Sequence, residues 1–170
     1  MRKALMLLLG LAVLAALAVP ALGLGGGDGR KVLQANVLAP VIEPYTQPAN
    51  TIRGITGGGL PWELDSGSAN LRADGRLHVK VKGLVLARRA PVPADRQGTM
   101  PFSQLKAIVS CLTTPDGAAA TTDNVSTGLF DVNPRGDGHL ETTVALPSPC
   151  FAPIVFVTAP TGQWFAVTGR

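Results

Sequence analysis

Residues 68–86 read SANLRADGRLHVKVKGLVL, and this stretch decides the fold class. Leu77, Val79 and Val81 alternate with Arg76, His78, Lys80 and Lys82. That period of two arises when one face of a strand meets a core and the other meets water. Ala69 and Leu71 alternate with Ser68, Asn70 and Arg72 in the same way, and Ala73-Asp74-Gly75 supplies turn chemistry between the two runs. A two-residue turn at Asp74-Gly75 would set Leu71 against His78 and mix apolar with polar on each face. A three-residue loop, with Gly75 in the left-handed conformation, sets Leu71 against Leu77 and Arg72 against Arg76, and every face then agrees. The hairpin is expected to present Ser68, Asn70, Arg72, Arg76, His78, Lys80 and Lys82 on one outer surface.

Upstream, residues 1–21 have a basic start at Arg2 and Lys3, an apolar run and then small residues around Pro20. This is the pattern of a secretory signal peptide, cut after Ala21 or, as a second choice, after Gly23. The run is shorter than the ~20 residues a spanning helix needs. A retained anchor is the competing reading, and the uncleaved signal would be the chain's membrane contact. Residues 22–31, LGLGGGDGRK, form a glycine-rich spacer. Residues 32–170 are the folded domain. Pro40, Pro44 and Pro48 suit an extended edge segment over 32–50 and forbid a long helix; 51–55 reads as a short strand.

Downstream, 88–100 has no usable periodicity and reads as a long loop, either a crossing between two sheets or a binding loop. Residues 102–114 form a strand with Leu105, Ala107, Val109 and Cys111 on one face, followed by a polar loop over 115–124. Residues 125–132 and 139–146 read as a hairpin across 133–138. Residues 154–159 and 163–168 pair across Pro160-Thr161-Gly162. Ile154, Val155, Phe156 and Val157 are apolar without alternation, which marks a strand covered on both faces and places that hairpin centrally. The expected fold is all-β, a single antiparallel β-sandwich of about eight strands, Greek-key-like.

The chain has 15 basic and 11 acidic residues. Without Arg2 and Lys3 the basic count is 13, a net +2 against the 11 acids. A nearly neutral domain whose few aromatics are not interleaved with basic runs argues against nucleic acid as a partner. Cys111 and Cys150 are an even set that oxidation outside the cytoplasm pairs. Closing a loop of 38 intervening residues stabilises by about 4 kcal/mol in the chain-entropy model.

No catalytic or cofactor signature is present. There is no nucleophile elbow, and no serine is matched with His and Asp. His78 and His139 fall on different predicted hairpins, so no metal site is expected, although His78 leaves a metal-binding module as a third reading. Glu63 and Asp65 lie two apart beside Trp62, a spacing that brings glycoside hydrolysis to mind, but same-strand neighbours do not make a cleft. Arg135-Gly136-Asp137 is explained by turn composition, and Asn124-Val125-Ser126 is a glycosylation sequon. Trp164, inside the last strand, reads as core. The candidate ligand site is the stretch of Gly57, Gly58, Gly59 and Trp62 with Glu63 and Asp65, where glycines beside an indole can form a platform for a sugar or an aromatic ligand. The competing reading is a Trp plugging one end of the sandwich.

Through GGGLPWELDSGSANLRADGRLHVKVKGLVLA, VSCLTT and LPSPCFAPIVFVTAPTGQWFAVTG, the chain resembles a group of uncharacterised small secreted microbial β-sandwich proteins. That resemblance implies an exported domain and no particular activity. The small-residue strand, Asp-Gly turn, strand and Gly83-Leu84 step are more faintly similar to CHRD-type domains. That family's histidines after the Gly-Leu step are replaced here by Val85-Leu86-Ala87-Arg88-Arg89, so no metal role carries over. The sequence therefore points to an exported, non-enzymatic module with a binding or structural role outside the cell or at its surface. Its partner would be an extracellular glycan or a surface protein. The alternative is a secreted carbohydrate-active protein, either a glycan binder or a weak hydrolase, working through the Trp62 region.

Overall fold

A computed structural model describes residues 29–114 and 117–168. The signal segment and most of the spacer lie outside the described residues. Eleven strands are present among them, and no helix: β1 (Lys31–Ala35), β2 (Leu38–Pro40), β3 (Trp62–Glu63), β4 (Ser66–Arg72), β5 (Arg76–Lys82), β6 (Val85–Leu86), β7 (Gln104–Thr113), β8 (Thr121–Asp131), β9 (Gly138–Thr143), β10 (Phe151–Thr158) and β11 (Trp164–Thr168). The count exceeds the expected number because β2, β3 and β6 are too short to show a period.

A four-stranded sheet runs β1-β4-β5-β9, a five-stranded sheet runs β2-β11-β10-β7-β8, and β3 pairs with β6. Every strand pair is antiparallel. The fold is an all-β sandwich.

The β4–β5 hairpin has the register the alternation demands, with Leu71 opposite Leu77, Ala69 opposite Val79 and Gly67 opposite Val81. Gly75 takes φ +84°, its N–H donates to the Arg72 carbonyl at 3.0 Å, and its carbonyl accepts from Val144 N at 3.0 Å. The turn is therefore docked on the end of β9. Facing this hairpin across the core are Leu105, Ala107, Val109 and Cys111 of β7 with Val155 and Val157 of β10, all fully buried. Cys111 is bonded to Cys150, with Cα atoms 5.0 Å apart.

β10 lies between β7 and β11, the central place its unbroken apolar run predicts. Its second face is covered by chain rather than by another sheet. Tyr45 reaches the Trp164 ring, Trp164 packs on Phe156, and Arg53 donates to the carbonyls of Ser110 and Ala152 at 2.8 and 2.7 Å. Burial within this layer lowers the pKa of the Arg53 guanidinium from its ordinary value.

Three sequence expectations change. Residues 51–55 form a tight turn bridged between Ile52 and Ile55, with Arg53 and Gly54 both at positive φ. β8 starts at Thr121 opposite Thr113, so the β7–β8 hairpin takes in part of the expected loop over 115–124. Most consequentially, the expected hairpin of 125–132 with 139–146 does not form. β8 pairs with β7 in one sheet and β9 with β5 in the other, and a single bridge, Val132 to Gly138, joins their ends.

The cause lies in the intervening loop. Leu84 N donates to the Gly136 carbonyl at 3.1 Å, and Gly83 N donates to Asp137 Oδ1 at 3.1 Å. The loop is thus fastened to the β5–β6 junction, and the chain is steered across the sandwich edge instead of doubling back.

Candidate functional site

Of the six candidate residues, Gly58, Gly59 and Trp62 come together in one groove. Trp62 is placed by its pairing with Leu86 and by donating its backbone N–H to the Val41 carbonyl at 2.9 Å. Its ring stacks on Phe165, with centroids 3.9 Å apart and planes 20° apart. Phe102 completes the cluster, 5.3 Å from Phe165 and 6.4 Å from Trp62. Trp62 and Phe165 are only 3% and 4% exposed, so they form a floor, while the half-buried Phe102 and Leu60 form walls. The groove encloses about 350 Å³ and is also lined by Leu86, Arg96 and Pro101. That volume lies at the small end of ligand pockets, which are mostly apolar with a few placed polar groups.

Two donors serve the groove. Arg96 sits on the 88–100 loop, held by a turn in which its N–H donates to the Pro93 carbonyl at 2.9 Å; its guanidinium has no ion-pair partner among the described residues. The Trp62 indole N–H likewise lacks a hydrogen-bond partner among them and lies beside Gly58, where an added Cβ would fall 3.2 Å from Nε1 and 2.9 Å from the Phe165 ring. Gly58 is therefore small because the aromatic floor passes beneath it.

The other candidates have different employment. Gly57 is buried where a Cβ would strike the Tyr45 carbonyl oxygen, so it serves packing. Glu63 accepts from Arg88 twice, from the backbone N–H at 2.8 Å and from the guanidinium at 3.0 Å. Asp65 faces a separate cleft with Lys82, Arg88, Arg135 and Asp137. Neither acid lines the aromatic groove.

Arg135-Gly136-Asp137 belongs to the scaffold. Asp137 accepts from Gly83 N, from Asn133 Nδ2 at 3.0 Å and from Arg135 Nε at 3.4 Å. The hydrogen bonds from Asn133 and then Gly83 hold its carboxyl below the ordinary carboxylate range, with Arg135 contributing further and desolvation opposing. Asn124 sits on β8 and donates its side-chain amide to the Arg53 carbonyl at 3.1 Å. Trp164 is core, at 2% exposure.

Outside the groove, the crossing of β8 to β9 has a chemical result. β9 brings His139 and Glu141 onto the outer face that already carries His78 and Lys80. Glu141 pairs with His78 across the ladder, 3.3 Å from Nδ1 to Oε1, and His139 lies opposite Lys80. Ser68 and Asn70 complete a shallow concavity of about 470 Å³. Among the described residues no group of three or more His, Cys, Asp or Glu side chains could hold a metal ion.

Sequence reasoning missed Phe102, Phe165 and Arg96 because they come from segments remote from Trp62, with no local signal linking them. It missed His139 and Glu141 as neighbours of His78 because the local pattern pairs β9 with β8, whereas β9 lies on β5. Comparison of the chain with protein-family models, curated proteins and solved structures returns no match.

Proposed function

We propose that this chain is an exported, non-enzymatic β-sandwich module that binds a small ring-shaped ligand in the extracellular or cell-surface space. The ligand would be a sugar or an aromatic compound bearing a carboxylate or carbonyl group. The observation that carries the reading is the joining of an aromatic floor to two donors without partners, the Arg96 guanidinium and the Trp62 indole N–H, in one groove. Apolar walls supply contact area, and the donors supply orientation. The Cys111–Cys150 bond is compatible with an extracellular protein.

The test is a fluorescence titration of the purified protein against monomeric sugar acids, neutral sugars and aryl carboxylates, following the indole signal. A saturable change is expected, weakened about tenfold for acids by Arg96→Ala, the scale of one lost charge-assisted hydrogen bond. Binding equally strong in Arg96→Ala and Gly58→Val would remove the groove from consideration. Release of reducing ends from a polysaccharide, abolished by Glu63→Gln, would overturn the non-enzymatic reading in favour of the carbohydrate-active alternative.

A further inference from the structure

The outer face of the four-stranded sheet holds an uneven share of the charge. It presents Arg72 from β4, and Arg76, Lys80 and Lys82 from β5. From β1 comes Lys31, whose Nζ donates to Gln34 at 2.9 Å, with Gln34 opposite Asn70. Against these five cations stand two carboxylates, Glu141 and, at the turn, Asp74. The described residues elsewhere carry seven cations and seven acids (Glu43, Glu63, Asp65, Asp95, Asp123, Asp131 and Asp137). The basic excess of the described domain therefore lies entirely on one sheet face.

Both carboxylates there are already engaged. Asp74 binds Arg76, with 2.6 Å between Oδ2 and Nε, and Glu141 faces His78. Lys80 and Lys82 have no ion-pair partner among the described residues. Between the cations lie neutral hydrogen-bonding groups on Ser66, Ser68, Asn70 and Gln34. With strands about 4.8 Å apart and rising about 3.3 Å per residue, the face measures about 14 by 20 Å, long enough for several units of an extended polymer.

We infer that this face docks an acidic polysaccharide, a polymer bearing carboxylates or sulfates among hydroxyl groups. The cations meet the anionic groups, and the Ser, Asn and Gln side chains meet the hydroxyls. The face carries no Phe, Tyr or Trp on which nucleic-acid bases would stack, its only rings being the imidazoles of His78 and His139, and no exposed apolar side chain that would enter a bilayer. Charge complementarity on this scale governs encounter and register and weakens with salt. The surface is independent of the aromatic groove and stands whether or not that groove takes a ligand.

Affinity chromatography of the purified protein on immobilised polygalacturonate and chondroitin sulfate tests it, with neutral dextran, duplex DNA and phosphatidylglycerol vesicles as the other arms. Both acidic polysaccharides should retain the protein and release it by about 0.5 M salt, where screening is nearly complete; dextran should not retain it. Lys80→Glu with Lys82→Glu should weaken retention about tenfold or more. The same change in net charge made as Arg89→Glu with Lys106→Glu, away from both the face and the groove, should leave it unchanged. The inference is overturned if the Lys80/Lys82 variant binds like the parent, if the Arg89/Lys106 variant loses as much, or if DNA or vesicles bind more tightly than the polysaccharides. A circular-dichroism melt of each variant separates lost binding from lost folding, since Lys80, Lys82 and Arg89 are exposed and Lys106 is half-buried.

Discussion

Gly136 stands at φ +80° with its backbone against Leu84, and a Cβ there would meet the Leu84 carbonyl oxygen. A side chain at this point would suffer both backbone strain and collision, so Gly136→Ala should destabilise by more than about 1 kcal/mol, read as a lower urea midpoint. Its neighbour Asp137 acts through charge. Its folded carboxyl is more acidic than its unfolded one, so its contribution is present above the unfolded value and is lost as pH falls through the folded one. The melting-temperature gap between the parent and Asp137→Asn should therefore be widest near neutral pH and close in strong acid, which thermal melts across that range will show. A gap independent of pH would mean that the carboxylate's ionisation contributes nothing. Trp62 is the third telling residue. Stacked on Phe165 and 3% exposed, it belongs to the hydrophobic core as well as flooring the groove, and Trp62→Ala should cost about 3–5 kcal/mol by chemical denaturation. That dual position is why ligand tests are better made at Arg96 and Gly58 than at the indole.

At the scale of elements, the crossings decide what meets what. The chain passes from β1 to β2 within two residues at one edge of the sandwich, and from β8 to β9 through the Asn133–Asp137 turn, where Asn133 Oδ1 accepts from Arg135 N and Asp137 N at 2.9 and 3.0 Å. The second crossing sets His139 opposite Lys80 and Glu141 opposite His78, which no hairpin of β8 with β9 would do. The disulfide fastens a different junction, linking the interior of β7 to the segment just before β10. Cys111→Ser with Cys150→Ser should lower stability by about 2–5 kcal/mol, measured by denaturant titration beside the reduced parent. An unchanged midpoint would mean that the β7–β10 ladder alone holds this end.

Over the whole molecule, one core between two sheets leaves two surfaces of contrasting chemistry, an aromatic groove with one cation and a basic sheet face. They predict separable ligands: Arg96→Ala should affect monomeric acids and spare polymer retention, while the Lys80/Lys82 pair should do the reverse. If one variant abolished both, a single continuous site would have to replace the two described. The sequence by itself determined the all-β class, the Leu71–Leu77 register, the central β10 and the cysteine pair. Each of these follows from a period of two, a turn residue or a parity rule that acts within a few residues or on composition. Only the tertiary structure decided the partners of β8 and β9, the convergence of Phe102, Phe165 and Arg96 on Trp62, and the gathering of the basic excess on one face. Those depend on which distant segments share the core, and loop anchoring of the kind Asp137 provides to Gly83 acts through space, where no local pattern records it.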